Sequence, residues 1–404
     1  MGSPASLISP SGVTTRQYGL ITAGYWAFTL TDGALRMLVL LHFNELGYSP
    51  VALAFLFLAY EFMGILTNLL GGWAGSRSGL NRTLLAGLGL QVVALAVLTL
   101  QSPGWREWIS VVFVMAVQAL SGVAKDLTKM SSKSSTKFVA ADADGALFRV
   151  VAALTGSKNA LKGVGFFVGA ALLSWLGFDA ALLTMAIVLG VVFALIATFL
   201  DGNIGKAKEK APLRSLLAKS PAINQLSLGR FFLFASRDIW FVVALPVFLA
   251  DELGWSHLGT GAFLAAWVIG YGMVQTATPK LVGTDNAVAS ATRWGLILAT
   301  VAAVIAIAAT AQVAVTVAVV GGLIVFGVVF AINSSLHSYL ILAFSGDDSV
   351  AIDVGFYYSA NAAGRLVGTV LSGVLFLWGG LAAAMWGSAI FLLTAYVLTR
   401  RLPT

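Results

Sequence analysis

Cysteine is absent from all 404 residues, which excludes disulfides, thiolate metal sites and cysteine nucleophiles. Charge is nearly as scarce. Asp, Glu, Lys and Arg make up 10% of the chain, against 59% hydrophobic residues and a mean hydropathy of +0.91. A soluble domain needs far more charge to cover its surface. The 3 histidines, His42, His257 and His337, are too scattered to hold a metal, so neither a metal nor a cofactor is expected. The Gly-x-x-x-x-Gly-Lys-Ser/Thr loop that cradles nucleotide phosphates is missing, which disfavours ATP-driven pumping by this chain. Residues 1–15 are polar and small, with no basic segment leading into an apolar core, so no cleavable leader is expected.

What is present is apolar sequence along the whole length, the mark of many membrane spans. One span and a short loop take roughly 30 to 35 residues, which gives about twelve helices. The 43 glycines fit, because small residues let membrane helices approach closely. Hydrophobic patterning predicts spans near 18–43, 51–72, 83–101, 108–130, 148–175 and 180–200, then 223–249, 258–278, 291–311, 314–343, 352–378 and 381–399. The longest polar stretch, 201–221, carries Lys206, Lys208, Lys210, Arg214 and Lys219. It reads as a cytoplasmic linker between an N-terminal six-helix half, 16–200, and a C-terminal six-helix half, 222–401.

The net charge is +7 and the pI is near 9.6. The basic residues are spread over short loops and the spans themselves, which argues against a nucleic-acid partner. With the N-terminus inside, the inner loops hold Arg16, Arg77, Arg82, Lys133, Lys137, the linker cluster, Lys280, Arg400 and Arg401. The outer loops hold only Arg106. This bias predicts a multi-pass protein with both termini in the cytoplasm.

The halves repeat. Phe43-Asn44-Glu45-Leu46-Gly47-Tyr48-Ser49 closes the first span, and Ala250-Asp251-Glu252-Leu253-Gly254-Trp255-Ser256 closes the seventh. The same offset sets Tyr60 over Trp267, and Lys162-Gly163-Val164-Gly165 falls over Arg365-Leu366-Val367-Gly368 further on. Two parallel six-helix halves are the architecture of the major facilitator superfamily. The expected fold is therefore an all-α membrane protein of twelve transmembrane helices in two pseudo-symmetric halves. The loop after the second span resembles that superfamily's loop signature through Gly72, Arg77, Gly79 and Arg82, with Ser76 where an acid usually stands. It reads as a conformational latch or as an ordinary positive inner loop.

Charges inside spans are costly in hydrocarbon and face a cavity or a partner. The basic set is Arg36, Lys125, Lys158, Lys162, Arg230, Arg237 and Arg365; the acidic set is Asp32, Glu61, Asp126 and Asp238. Even with every acid paired, positive charge remains, which suits a polyanionic ligand. Lys162 and Arg365, one from each half, are placed to grip an anion between the halves. Asp32 and Arg36, four apart, either neutralise each other or serve the site separately. Arg237 and Asp238 are adjacent, so their side chains are expected to diverge, which favours a ligand role for Arg237. Lys125, Lys129, Lys133 and Lys137 form a stripe of which Lys125 is the deep member. Glu61 is the foremost candidate for a proton-carrying carboxylate, with Asp32 and Asp238 behind it; the alternative for Glu61 is a hydrogen bond to Asn68 or Tyr60.

Four stretches are more specific. They are 25–36, with Thr31-Asp32-Gly33-Ala34-Leu35-Arg36; 118–127, with Val123-Ala124-Lys125-Asp126-Leu127; 154–167, with Ser157-Lys158-Asn159-Ala160-Leu161-Lys162-Gly163; and 237–246, opening Arg237-Asp238-Ile239-Trp240-Phe241. Together they resemble the organoarsenical efflux permeases of bacterial arsenic-resistance operons, the ArsJ type, over about Arg16 to Arg401. The resemblance implies export across the bacterial inner membrane of 1-arseno-3-phosphoglycerate, a mixed anhydride made by a glyceraldehyde-3-phosphate dehydrogenase when arsenate replaces phosphate. Hydrolysis outside then gives net arsenate removal. It also implies that spans one, five, seven and eleven line a central cavity, and that the transporter is a monomer. The alternatives are an exporter or exchanger of another organic phosphate on the same scaffold and, distantly, a membrane-embedded enzyme or receptor.

Overall fold

The computed structural model describes residues 15–78, 80–139, 146–200, 220–282, 286–345 and 350–403. Most of the expected linker, 201–219, and Gly79 of the loop signature lie outside the described residues. The first half holds α1 (Thr15–Glu45), α2 (Pro50–Leu56), α3 (Leu58–Ser78), α4 (Leu80–Leu98), α5 (Glu107–Val139), α6 (Ala146–Leu176) and α7 (Phe178–Phe199). The second holds α8 (Pro221–Phe241), α9 (Ala244–Val247) continued by a π-helical turn Phe248–Glu252, then α10 (His257–Leu281), α11 (Ala287–Thr310), α12 (Val315–Phe344) and α13 (Val350–Arg400).

Ten of these helical stretches are long and apolar enough to cross a bilayer. The charges and threonines of α1 dilute its hydropathy, yet at 31 residues it is long enough to span. The backbone of α13 breaks at Gly379 and Gly380, which divides it into two spans. Among the described residues the membrane-crossing segments are thus the expected twelve. Their outer faces are apolar and exposed, for example Ile187 and Val191 of α7, Val304 and Ile307 of α11, and Val317 and Ile324 of α12. Such surface belongs against lipid tails. Exposed Trp105, Trp108, Trp175 and Trp378 gather at the end of the bundle that carries the 46–49 turn, as an interfacial belt does.

The repeat has a local cause. Gly47 (φ 81°) and Gly254 (φ 66°) end their helices in the left-handed region. Ser49 and Ser256 then cap the next helices, accepting from the N–H groups of Ala52 at 3.2 Å and Gly259 at 3.1 Å. Pro246 cannot donate and crowds the carbonyl four residues back, which breaks α8 from α9. Ser372 Oγ accepts from the freed N–H groups of Val243 and Ala244, both at 3.1 Å.

Within the halves, α1 packs along α6 and α8 along the first span of α13. Between them, α6 meets α10, and α13 meets α2 and α3. Both intra-half crossings need glycine. A Cβ on Gly165 would lie 2.4 Å from the Leu30 carbonyl oxygen, and one on Gly368 would lie 2.6 Å from that of Ala235. These are repeat-related positions meeting repeat-related helices. Gly165→Ala and Gly368→Ala should each cost about 1–3 kcal/mol by overpacking. Thermal melts of the detergent-purified protein check this against Gly190→Ala, where nothing lies within 4 Å. Equal melting temperatures for all three variants would refute the close-crossing account.

Candidate functional site

A cavity of about 280 Å³ lies between the halves, at mid-depth. Among the described residues it is lined by eight cationic side chains, Arg36, Lys125, Lys129, Lys158, Lys162, Arg230, Arg237 and Arg365, and four carboxylates, Asp32, Glu61, Asp126 and Asp238. The structure thus brings together every span charge singled out from the sequence. The lining is broader than spans one, five, seven and eleven. Helix α3 adds Glu61 and Asn68, α5 adds Lys125, Asp126 and Lys129, and α10 adds Trp267, Tyr271 and Gln275.

A continuous ionic chain crosses the interface. Arg36 Nη1 donates to Glu61 Oε1 at 3.1 Å. Arg365 Nη2 donates to the same oxygen at 2.6 Å, and its Nε donates to Asp238 Oδ2 at 3.0 Å. Arg237 closes the chain on Asp238 Oδ1, with Nε at 2.7 Å. Three arginines therefore share two buried carboxylates, and Arg365–Glu61 is the link between halves. This corrects two expectations. Arg237 does pair with Asp238, because its long side chain curls back to reach the neighbouring carboxylate. Glu61 bonds to neither Asn68 nor Tyr60; cations from α1 and α13 converge on it, although α3 offers none within one turn.

Tyr60 forms a second node. Its hydroxyl donates to Asp32 Oδ1 at 2.6 Å, and Lys125 Nζ stands 3.9 Å from its ring centroid. Asp32 therefore does not neutralise Arg36. The α1–α6 crossing brings the Lys162 backbone against Gly33, where a Cβ would lie 2.6 Å from the Lys162 carbonyl oxygen. Lys162 Nζ lies 5.8 Å from the Phe166 ring centroid. Among the described residues, neither Lys125 nor Lys162 has a carboxylate within ion-pair distance.

A third cluster surrounds Asp126, which accepts from Lys129 at 2.5 Å and from the Thr67 hydroxyl. Lys129 also donates to Asn68 Oδ1 at 2.9 Å. Lys129 is therefore a lining residue that depth along the helix alone did not single out. Across the cavity, buried Arg230 donates to Ser334 O at 3.0 Å and Oγ at 3.2 Å and lies 4.0 Å from the Phe234 ring centroid. Polar atoms without a partner remain: Tyr25 Oη, Arg36 Nη2, Glu61 Oε2 and Arg230 Nε. The lining can thus accept an anion at its cations while offering further polar contacts.

The end bearing the 46–49 turn is closed across the halves. Asn44 Nδ2 donates to Asp251 Oδ1 at 2.9 Å, and a Cβ on Gly373 would lie 2.3 Å from the Pro50 carbonyl oxygen. Toward the other end, Asn159 Nδ2 donates to Gln275 Oε1 at 3.0 Å and Ser359 Oγ to Ile65 O at 3.0 Å. Of the loop signature, Arg82 is exposed at the start of α4, whereas the side-chain placement of Arg77, like Gly79, lies outside the described residues. Gly72 lies within α3. Arg82 does not line the cavity.

No family model and no curated protein matches the sequence. Solved structures do match. The human organic anion transporter MFSD10 (TETRAN) superposes with a TM-score of 0.68 at 16% identity, over 95% of this chain and 99% of that one. A bacterial homologue of the iron transporter ferroportin in an inward-facing state gives 0.71 at 16% identity, over 95% and 98%. A POT family transporter in complex with 5-aminolevulinic acid gives 0.74 at 14% identity, over 97% and 96%. At such identities the likeness is one of architecture, and it agrees with the twelve spans and the repeated halves: the chain is a multi-pass membrane protein with the major facilitator fold.

Proposed function

We propose that this chain is an alternating-access exporter of an organic polyanion, its two halves rocking about the central cavity. The observation that carries the reading is the cavity's surplus of cations over carboxylates. Lys125 and Lys162, lacking carboxylate partners among the described residues, are positioned for the anion's oxygens, with Lys158, Arg230 and Arg237 on the same lining. The human neighbour is itself described as an organic anion transporter. The finer reading of the cargo is 1-arseno-3-phosphoglycerate, supplied by a glyceraldehyde-3-phosphate dehydrogenase. It rests on the resemblance carried by 25–36, 118–127, 154–167 and 237–246, the stretches that hold Asp32, Arg36, Lys125, Asp126, Lys158, Lys162, Arg237 and Asp238. The setting is a bacterial inner membrane with both termini cytoplasmic, and the working unit is a monomer.

The deciding assay uses a bacterium stripped of its own arsenic exporters. Expressing this chain should lower intracellular arsenic after arsenate only when the dehydrogenase is co-expressed, and should leave arsenite accumulation unchanged. Lys162→Ala should abolish the effect while still reaching the membrane. Unchanged arsenic with correctly inserted protein would remove the arsenical cargo and leave another organic phosphate in its place.

Rocking also requires the Arg365–Glu61 link to break and re-form. Removing one member of a buried ion pair costs about 3–5 kcal/mol, because the other charge is stranded. Glu61→Gln should therefore lower the melting temperature strongly, and the double variant Glu61→Gln/Arg365→Gln should recover part of the loss. Additive losses in that cycle would refute direct coupling.

Topology is testable without background labelling, because the chain has no cysteine. Gly104→Cys should react with an impermeant maleimide in intact cells. Ala207→Cys should react only after permeabilisation. The reverse pattern would invert the assignment.

A further inference from the structure

Three of the four cavity carboxylates are held by cations: Glu61 by Arg36 and Arg365, Asp238 by Arg237 and Arg365, and Asp126 by Lys129. Asp32 differs. It is 7% exposed, and its hydrogen-bond partner is a neutral hydroxyl, Tyr60 Oη at 2.6 Å. Among the described residues no cation stands within ion-pair distance of it. Charged and titratable groups nevertheless ring it: Tyr25 and Arg36 on its own helix, Tyr60 and Glu61 on α3, Lys125 on α5 and Lys162 on α6. Helices α4 and α7 also pack on α1, but their ionisable residues Arg82 and Asp179 lie near their ends, and α2 has none.

Resting on the polyanion reading of this cavity, we infer that Asp32 is the protonation site coupled to the cargo, and that proton and anion are taken up together. The argument is electrostatic. An ionised Asp32 sets negative charge beside Lys125 and Lys162, where it offsets their field and repels an incoming anion. A protonated Asp32 leaves both lysines to the cargo. By linkage, the factor by which protonation strengthens anion binding equals the factor by which the anion strengthens proton binding. Glu61 and Asp238 are poor carriers, because protonating Glu61 leaves Arg36 without its carboxylate and protonating Asp238 leaves Arg237 without its own, and an arginine cannot release its proton. The coupling sign follows: the proton, drawn from water onto the Asp32 carboxylate, moves in the same direction as the anion and not in exchange for it. Tyr60 is a positioning residue, holding the carboxylate with its hydroxyl and Lys125 with its ring face.

The test uses the full chain in lipid nanodiscs with 3-phosphoglycerate, a stable organic phosphate, as probe. Affinity is measured across pH 5.5 to 8.5, and proton uptake is followed with an indicator dye in weak buffer. Wild-type affinity should rise by about 5- to 150-fold toward low pH, the usual span of a coupling between two sites, with protons consumed on binding. Asp32→Asn should bind as tightly at high pH as the wild type does at low pH, retaining only the probe's own titration and taking up no proton through the protein. Tyr60→Phe keeps the carboxylate and removes its hydrogen-bond donor, so the midpoint of the pH dependence should shift from that of the wild type. Asp32→Asn behaving as wild type in both readouts, or an unmoved midpoint in Tyr60→Phe, overturns the assignment while leaving the polyanion reading intact. Folded wild type that binds no 3-phosphoglycerate at any pH overturns the polyanion reading and this inference with it.

Discussion

A charge buried in a membrane bundle must find a counter-charge or be expelled, and that constraint organises this molecule. Arg36, Glu61, Arg365, Asp238 and Arg237 satisfy it as one chain running through both halves. Its outer members are anchored within their own halves, Arg36 on Glu61 and Arg237 on Asp238. Only Arg365 faces two ways, joined by its Nε to Asp238 of its own half and by its Nη2 to Glu61 of the other. A relative rotation of the halves must therefore exchange the partner of one guanidinium and can leave the rest in place. The close crossing at Gly368 serves the same end, because it brings α8 and α13 near enough for Asp238 to reach Arg365.

The spans were legible in the sequence because membrane helices must be apolar over a fixed length, and the broken backbone at Gly379 and Gly380 falls where patterning separates the last two. The repeat was legible for a local reason. Leu46-Gly47-Tyr48-Ser49 and Leu253-Gly254-Trp255-Ser256 each stop one helix and start another, and the same chemistry is used twice. Asn44 and Asp251, matched by that repeat, even bond to each other across the interface. Membership of the cavity was legible from depth along each helix. Pairing was not. Which cation meets Glu61 depends on where α1 and α13 cross α3, and no spacing within α3 encodes that. Arg237 and Asp238 show the complementary failure. Their Cβ atoms point apart, as helical geometry requires, but an arginine reaches far beyond its Cβ. Lys129 was passed over because a long side chain carries its charge a full turn from its Cα, so position along the helix understates the depth of its ammonium.

The halves repeat in architecture and differ in chemistry. Lys162 and Arg365 are matched by the repeat, yet Arg365 is shared by two carboxylates, whereas Lys162 meets none among the described residues. Gly33 helps bring Lys162 close to Asp32, while the Gly368 crossing in the other half runs beside Asp238, the carboxylate that holds Arg365 and Arg237. The first half thus presents Lys125 and Lys162 without carboxylate partners among the described residues, near a carboxylate bound to a hydroxyl, and the second presents Arg237 and Arg365 already paired. Among the described residues, a repeated scaffold thus carries its open lysines in one half and a doubly paired arginine in the other.

That division follows the chemistry of the two cation types. An arginine is charged under all conditions, so in an empty cavity it needs a carboxylate; Arg36, Arg237 and Arg365 each have one. Arg230 is the exception, and it is served by Ser334 and by the faces of Phe234 and Tyr357. A lysine can exchange its proton when desolvated, so under the proposed reading the residues left for an arriving anion are Lys125 and Lys162. The direction of transport then needs little further machinery under the proposed reading. A cell interior is electrically negative, and each negative charge moved outward gains about 2.3 kcal/mol per 100 mV. A polyanion that carries one proton with it still exports net negative charge, so the membrane potential drives the loaded step. What the protein must supply is a mid-depth site where a polyanion is stable when present and cations are tolerable when it is absent. Paired arginines beside open lysines meet both conditions.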